Sequence, residues 1–169
     1  MINMKTFKNN IITVLGAVQK LGNKAPNFTA IDKNLEEKSL TDYKTPYIVL
    51  NVVPSLDTGV CDAQTRRVNE ELVKRDDILV ITLSNDLPFA QARWCGSAGL
   101  DQIITLSDHK DLDFANKYGV NIKELRLLAR SVFVLDENRD IVYLEYLDEM
   151  GNHLNYNELI NFVENLPTK

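Results

Sequence analysis

The sequence predicts an α/β fold, and three observations carry that expectation. Residues 47–53 and 78–83 are continuous apolar runs of strand length, the pattern of strands covered on both faces. Between them, residues 58–75 have the length of the crossover helix that a parallel βαβ unit requires, with Cys61, Thr65, Val68 and Leu72 at helical spacing. Further on, Ser131–Leu135 and 141–147 flank the polar turn 136–140 as a hairpin, and residues 155–165 read as a closing helix ended by Leu166-Pro167.

The remaining elements follow in chain order. Lys5 and Lys8 ahead of the mostly apolar run 11–18 resemble a weak signal peptide, but Lys20 and Lys24 follow and no small-residue cleavage site closes the run. A hairpin fits better: residues 5–8, a turn at Asn9-Asn10, then residues 11–14 rich in β-branched side chains. The chain is therefore expected to be cytoplasmic, and the sequon Asn27-Phe28-Thr29 unglycosylated. A short strand is expected at 28–31, followed by a polar connection through Glu36, Glu37 and Lys38. Ser84-Asn85-Asp86-Leu87-Pro88 is a helix-start signal with Asp86 as its cap. That helix carries Phe89, Trp94 and Cys95 and stops at Gly96. A strand at 102–106 and a helix at 111–118 complete the set. No linker, repeat or low-complexity tract divides residues 1–169. The order of elements matches one thioredoxin-like α/β sandwich with an N-terminal β-hairpin extension.

Composition narrows the function. With 169 residues, 44% hydrophobic and 25% charged, the chain can bury a proper core. A net charge of −5 argues against nucleic-acid binding, which needs a basic surface. No apolar run approaches the roughly 20 residues of a membrane span. Two cysteines are too few for a disulfide scaffold. The two histidines, His109 and His153, lie at no ligand spacing from a cysteine and read as surface residues, so no bound metal is expected.

The first cysteine has the most informative surroundings. Pro54-Ser55-Leu56-Asp57-Thr58-Gly59-Val60-Cys61 breaks the strand with a proline, offers Thr58 as helix N-cap, and places Cys61 in the first turn. Unpaired N–H groups and partial positive charge in that turn favour a thiolate over a thiol. Cys95 stands on a second short helix, beside Trp94. Read locally it is either a packing residue or the second half of a redox pair.

These residues resemble a known family. Pro54, Thr58 and Cys61 fit the P-x-x-x-T-x-x-C signature of peroxiredoxins, and the string 54–61 is similar to their bacterial thiol peroxidase subfamily. Residues 84–96, 103–107 and 129–138 extend the likeness over essentially the whole chain, while 121–128 departs from it. The resemblance implies a thioredoxin-like fold and reduction of hydroperoxides by Cys61 as peroxidatic cysteine. It also implies Cys95 as resolving cysteine of the same chain, Pro54, Thr58 and Arg130 as further site residues, thioredoxin as reductant, a homodimer, and no metal or organic cofactor.

Chemistry sets what those residues must supply. An ordinary thiol is about 3% thiolate at pH 7, so complete ionisation multiplies the reactive fraction only about 30-fold, or ~2 kcal/mol. The rest must come from groups that hold the peroxide and stabilise charge on the departing oxygen. Thr58 can accept from helix N–H groups and donate to sulfur or peroxide, or it is simply a cap. Arg130 supplies a fixed cation, or pairs with Glu137 in a surface bridge. A protein disulfide oxidoreductase is the second reading, weakened by the lack of a C-x-x-C motif; a non-catalytic thioredoxin-like binding module is the third.

Overall fold

The computed structural model describes residues 4–100 and 103–169. The two apolar runs form β5 (Tyr47–Val52) and β6 (Ile78–Ser84), which pair in parallel. Their crossover is α1 (Gly59–Leu72). β7 (Ile104–Ser107) extends the parallel block beyond β6, and β10 (Ser131–Leu135) lies antiparallel on the other side of β5. The predicted hairpin closes with β11 (Ile141–Tyr146) at that edge. At the opposite edge β3 (Thr29–Ile31) and β4 (Glu37–Ser39) complete a seven-stranded mixed sheet of order β11-β10-β5-β6-β7-β3-β4.

Alternation along the strands explains how one sheet serves two cores. Tyr47 and Val49 of β5 join Val80, Val132 and Val134 on one face, under Val68 and Leu72 of α1 and Leu159 and Val163 of α4 (Tyr156–Glu164). Ile48, Leu50 and Val52 face the other way, against Phe114 and Tyr118 of α3 (Asp113–Tyr118) and Ile122 of a second, smaller sheet. That sheet has the order β1-β2-β8-β9, from β1 (Met4–Phe7), β2 (Asn10–Leu15), β8 (Asn121–Ile122) and β9 (Leu127–Leu128).

The N-terminal hairpin forms as expected, but its turn is Lys8-Asn9, one residue earlier than read. Both residues have positive φ (50° and 65°), as a two-residue type I′ turn demands. Gly119, the left-handed residue that ends α3, lets the segment after β2 pass close to that helix. With φ of 68°, a Cβ there would lie 2.8 Å from the backbone nitrogen of Val18.

Other expectations need correction. The polar connection after β3 contains β4, a strand too short and too polar to show periodicity. Residues 121–128, the segment that departs from the family likeness and for which the sequence predicts no element, carry the β8–β9 hairpin. The cysteine-bearing helix α2 (Pro88–Ala98) runs through Gly96 and ends at Gly99, which takes the left-handed conformation while Leu100 N–H closes back on the Cys95 carbonyl at 2.9 Å. α1, by contrast, stops at Leu72, short of residue 75. The predicted strand 102–106 begins outside the described residues and is seen as β7.

α4 is held to the sheet by a polar clamp. Arg75 donates to both Asp77 carboxylate oxygens (2.9 and 2.6 Å) and to the carbonyls of Val163 and Leu166 at the end of α4. The Arg75 hydrogen bonds, with help from the Lys169 N–H, lower the Asp77 pKa to about 2. A depressed carboxylate contributes stability that is complete above the ordinary range near 4 and is lost as pH falls through about 2. Asp77→Asn should therefore lower the denaturant midpoint at pH 7 and converge with the parent chain near pH 2. A constant offset across that window would contradict the clamp.

Candidate active site

The site is built where β5 leaves the sheet and α1 begins. Pro54 is buried and ends the strand, as its missing N–H and fixed φ dictate. The turn that follows is tied from across the sheet. Asp86 accepts from the Ser55 hydroxyl (2.7 Å), the Leu56 N–H (2.8 Å) and the Ser84 hydroxyl (2.8 Å). The expected capping role of Asp86 is thus replaced: Leu87 is the N-cap of α2, without a side-chain cap bond.

Thr58 does occupy the N-cap of α1, with extended backbone, and its carbonyl accepts from Asp62 N–H at 2.9 Å. Its hydroxyl does not cap the helix. It turns back to donate to the Ser55 carbonyl at 3.2 Å, on an exposed residue. The helix N–H groups of the first turn therefore keep no threonine acceptor, and the hydroxyl stands at the solvent side of the turn.

Cys61 is a thiol engaged in no disulfide, and its 0% exposure shows that the core-facing side of α1 takes it inside. Val53 and Leu56 are buried with it, and the Trp94 ring packs against the three. The fourth neighbour is charged. Arg130 Nη2 donates to Cys61 Sγ at 3.0 Å, Nη1 to Gln64 Oε1 at 2.8 Å, and Nε to the Met150 carbonyl at 2.8 Å. The surface pairing with Glu137 does not form. Glu137 binds Lys169 instead, and Arg130 is only 2% exposed.

That arrangement has an electrostatic consequence. A buried guanidinium costs several kcal/mol unless its charge is compensated, and among the described residues no carboxylate lies within salt-bridge distance of Arg130. Neutral oxygens take two sides of the fork. The third points at a sulfur, the one partner among the three that can carry an anion.

A polar network below the arginine fixes its orientation. Gln64 Nε2 donates to Asn51 Oδ1 at 2.6 Å, and Asn51 Nδ2 reaches both Thr65 and Thr82 hydroxyls at 3.2 Å. All four side chains are buried. Gln64, Asn51 and Met150 were not anticipated. Gln64 had a readable signal, a polar residue one turn beyond Cys61 on the face that α1 buries. Tyr156, at the start of α4, also borders the site; its hydroxyl pKa is raised chiefly by burial, opposed by the Arg130 charge.

Cys95 is buried on α2, at 6% exposure. α2 reaches the Cys61 region through Trp94, whose indole N–H donates to Asp62 Oδ1 at 2.8 Å. The structure thus brings Pro54, Thr58, Cys61 and Arg130 to one turn and its floor, and places Cys95 on the neighbouring helix. His109 is half-buried, 2.8 Å from the Ser107 hydroxyl, and takes no part.

A mixed α/β sheet that carries a buried thiol at a helix start, met by a buried guanidinium, defines a thiol-based oxidoreductase of thioredoxin-like fold. Comparison with known proteins specifies it. The Redoxin family model matches residues 20–160. The chain is 58% identical to a thiol peroxidase of Bacillus subtilis over 155 residues, 92% of this chain and 93% of that one. It is 53% identical to a thiol peroxidase of Oceanobacillus iheyensis, covering 92% and 95%. A peroxiredoxin-like protein from Aquifex aeolicus superposes with a TM-score of 0.87 at 34% identity over 96% of both chains. A thiol peroxidase from Chromobacterium violaceum shares the fold, with the same TM-score at 18% identity. The chain belongs to the Redoxin family, as a peroxidase of the peroxiredoxin type.

Proposed function

We propose that this peroxidase reduces hydrogen peroxide and organic hydroperoxides through Cys61, Cys95 and the guanidinium of Arg130. The observation that carries the proposal is the 3.0 Å contact from Arg130 Nη2 to Cys61 Sγ. It offers a compensating charge to a thiolate and a fixed donor for the oxygens of an incoming peroxide.

In the proposed cycle the Cys61 sulfur attacks the terminal peroxide oxygen and the O–O bond breaks. Cys61 becomes a sulfenic acid while water or an alcohol departs after gaining a proton. Pro54 shields the sulfur from water, and the Thr58 hydroxyl, free of any capping duty, can turn from Ser55 to the peroxide. The Cys95 thiol then displaces the sulfenic oxygen as water and forms the Cys61–Cys95 disulfide. Because both thiols are buried on separate helices, local unfolding of α2, of the first turn of α1, or of both must bring their Cα atoms within about 7 Å. A dithiol protein of the thioredoxin type returns the pair to thiols by exchange. Leu87 and Phe89, 52% and 67% exposed at the start of α2, offer apolar surface to that reductant or to a second copy in a homodimer. We read the chain as one cytoplasmic domain; no helix among the described residues is long and apolar enough to cross a membrane.

The reading is tested by NADPH oxidation coupled through thioredoxin reductase and thioredoxin. Peroxide-dependent turnover is expected. Reduction of insulin disulfides without peroxide turnover would favour the protein-oxidoreductase reading instead.

A further inference from the structure

The residues next to the two cysteines are bonded to each other. Asp62 follows Cys61 and Trp94 precedes Cys95, and the indole N–H of Trp94 donates to Asp62 Oδ1 at 2.8 Å. The other carboxylate oxygen of Asp62 accepts from Arg66 Nε at 2.9 Å, and the Arg66 guanidinium sits 5.6 Å from the Trp94 ring centre. Both Asp62 and Trp94 are half-buried.

The two ends of α2 are held very differently. At its start, Asp86 gathers Ser55, Leu56 and Ser84, while Gln91 Nε2 donates to the Ser84 hydroxyl and the Leu106 carbonyl. Beyond Gln91 the buried face of the helix has one residue, Cys95 itself. Gln91 Oε1 is buried with no hydrogen-bond partner among the described residues, so the middle of the helix is under-satisfied. The far half, which carries the second thiol, is fastened to α1 by Trp94.

From this geometry we infer that the Trp94–Asp62 hydrogen bond is a latch: it sets how fast α2 releases Cys95 to reach oxidised Cys61, and so how the sulfenic acid is divided between disulfide formation and overoxidation. Trp94 and Asp62 are positioning residues, since neither touches the reacting atoms in a hydrogen bond. The two fates balance as follows. With Cys95, the Cys61 sulfenic acid loses its S–O bond, gains an S–S bond and releases water. With a second peroxide, its sulfur takes up one more oxygen to give sulfinic acid, and the peroxide leaves as water or alcohol. The inference rests on the proposed Cys61–Cys95 disulfide and adds the element that times its formation.

Trp94→Phe tests it, because it keeps an aromatic cover over Cys61 and the charge on Asp62 while removing the donor. Loss of one hydrogen bond to a carboxylate should favour the released helix roughly 5- to 30-fold. After rapid mixing with one equivalent of peroxide, quenched intact-mass spectra should show the 16 Da adduct forming at the parental rate. Its conversion to the disulfide, 2 Da below the dithiol, should be faster by that factor. At raised peroxide the 32 Da sulfinic product should shrink correspondingly. Asp62→Ala breaks the same bond from the other side and should also speed the second step. Disulfide formation at the parental rate in both variants would overturn the latch, as would equal slowing of both steps, the mark of a merely structural role. If the parent chain itself never loses 2 Da, the disulfide reading falls, and the latch with it.

Discussion

Cys61→Ser should lose peroxide turnover entirely, to the level of the buffer control. A serine hydroxyl has no accessible anion at neutral pH and no sulfur to take up oxygen, so neither the sulfenic acid nor the disulfide can form. The substitution is nearly isosteric, and Arg130 keeps an acceptor in place of the sulfur, so the fold should survive. Thermal melting and the far-ultraviolet spectrum should stay close to those of the parent. Residual thioredoxin-coupled turnover above a few per cent would mean that the chemistry lies elsewhere, with Cys95 as the next candidate.

Arg130→Met should have the second largest effect, a fall in kcat/KM of about 100- to 1,000-fold, the usual cost of losing one positioned donor at a developing charge. Stability should change less than the burial of Arg130 suggests, because two effects oppose. The variant abandons Gln64 Oε1 and the Met150 carbonyl, each costing about 1–3 kcal/mol if left without a donor. It also removes a cation that has no carboxylate partner among the described residues, and replacing such a charge by an apolar side chain often stabilises. Arg130→Lys separates charge from geometry. A single ammonium cannot span the three directions of the fork, so it should recover only part of the rate. Full activity in the Met variant would refute the role given to the guanidinium.

The legibility of this chain in its sequence follows from where its signals are local. β5 and β6 are apolar on both faces, α1 has a cap residue and one buried stripe, and the 136–140 turn is polar between two β-rich runs. Each of these is decided by residues within a few positions, and each forms. β4 and the β8–β9 hairpin are only three and two residues per strand, and their pairing partners are what make them strands. Gly96 misled because a glycine inside a helix costs only about 1 kcal/mol, which packing can override. The left-handed residue that ends α2 is Gly99.

The site divides the same way. Cys61, Thr58 and Pro54 form a contiguous string and could be found from it. Arg130 was anticipated through its motif, but not its setting. The partners that give it meaning, Gln64 and Met150, come from α1 and from the segment after β11. Thr58 shows the reverse case. A residue correctly placed at the N-cap directs its hydroxyl to Ser55, because the exposed turn offers a nearby carbonyl.

In the proposed cycle Cys61 is the sulfur that meets peroxide and Cys95 the one that resolves it. The intact mass of Cys95→Ser after one equivalent of hydrogen peroxide, followed by peptide mapping, separates the two roles. A 16 Da adduct on Cys61 is expected in that variant and, in the parent chain, a 2 Da loss mapping to a Cys61–Cys95 crosslink. An unmodified Cys61 in both proteins would rule out that division of roles.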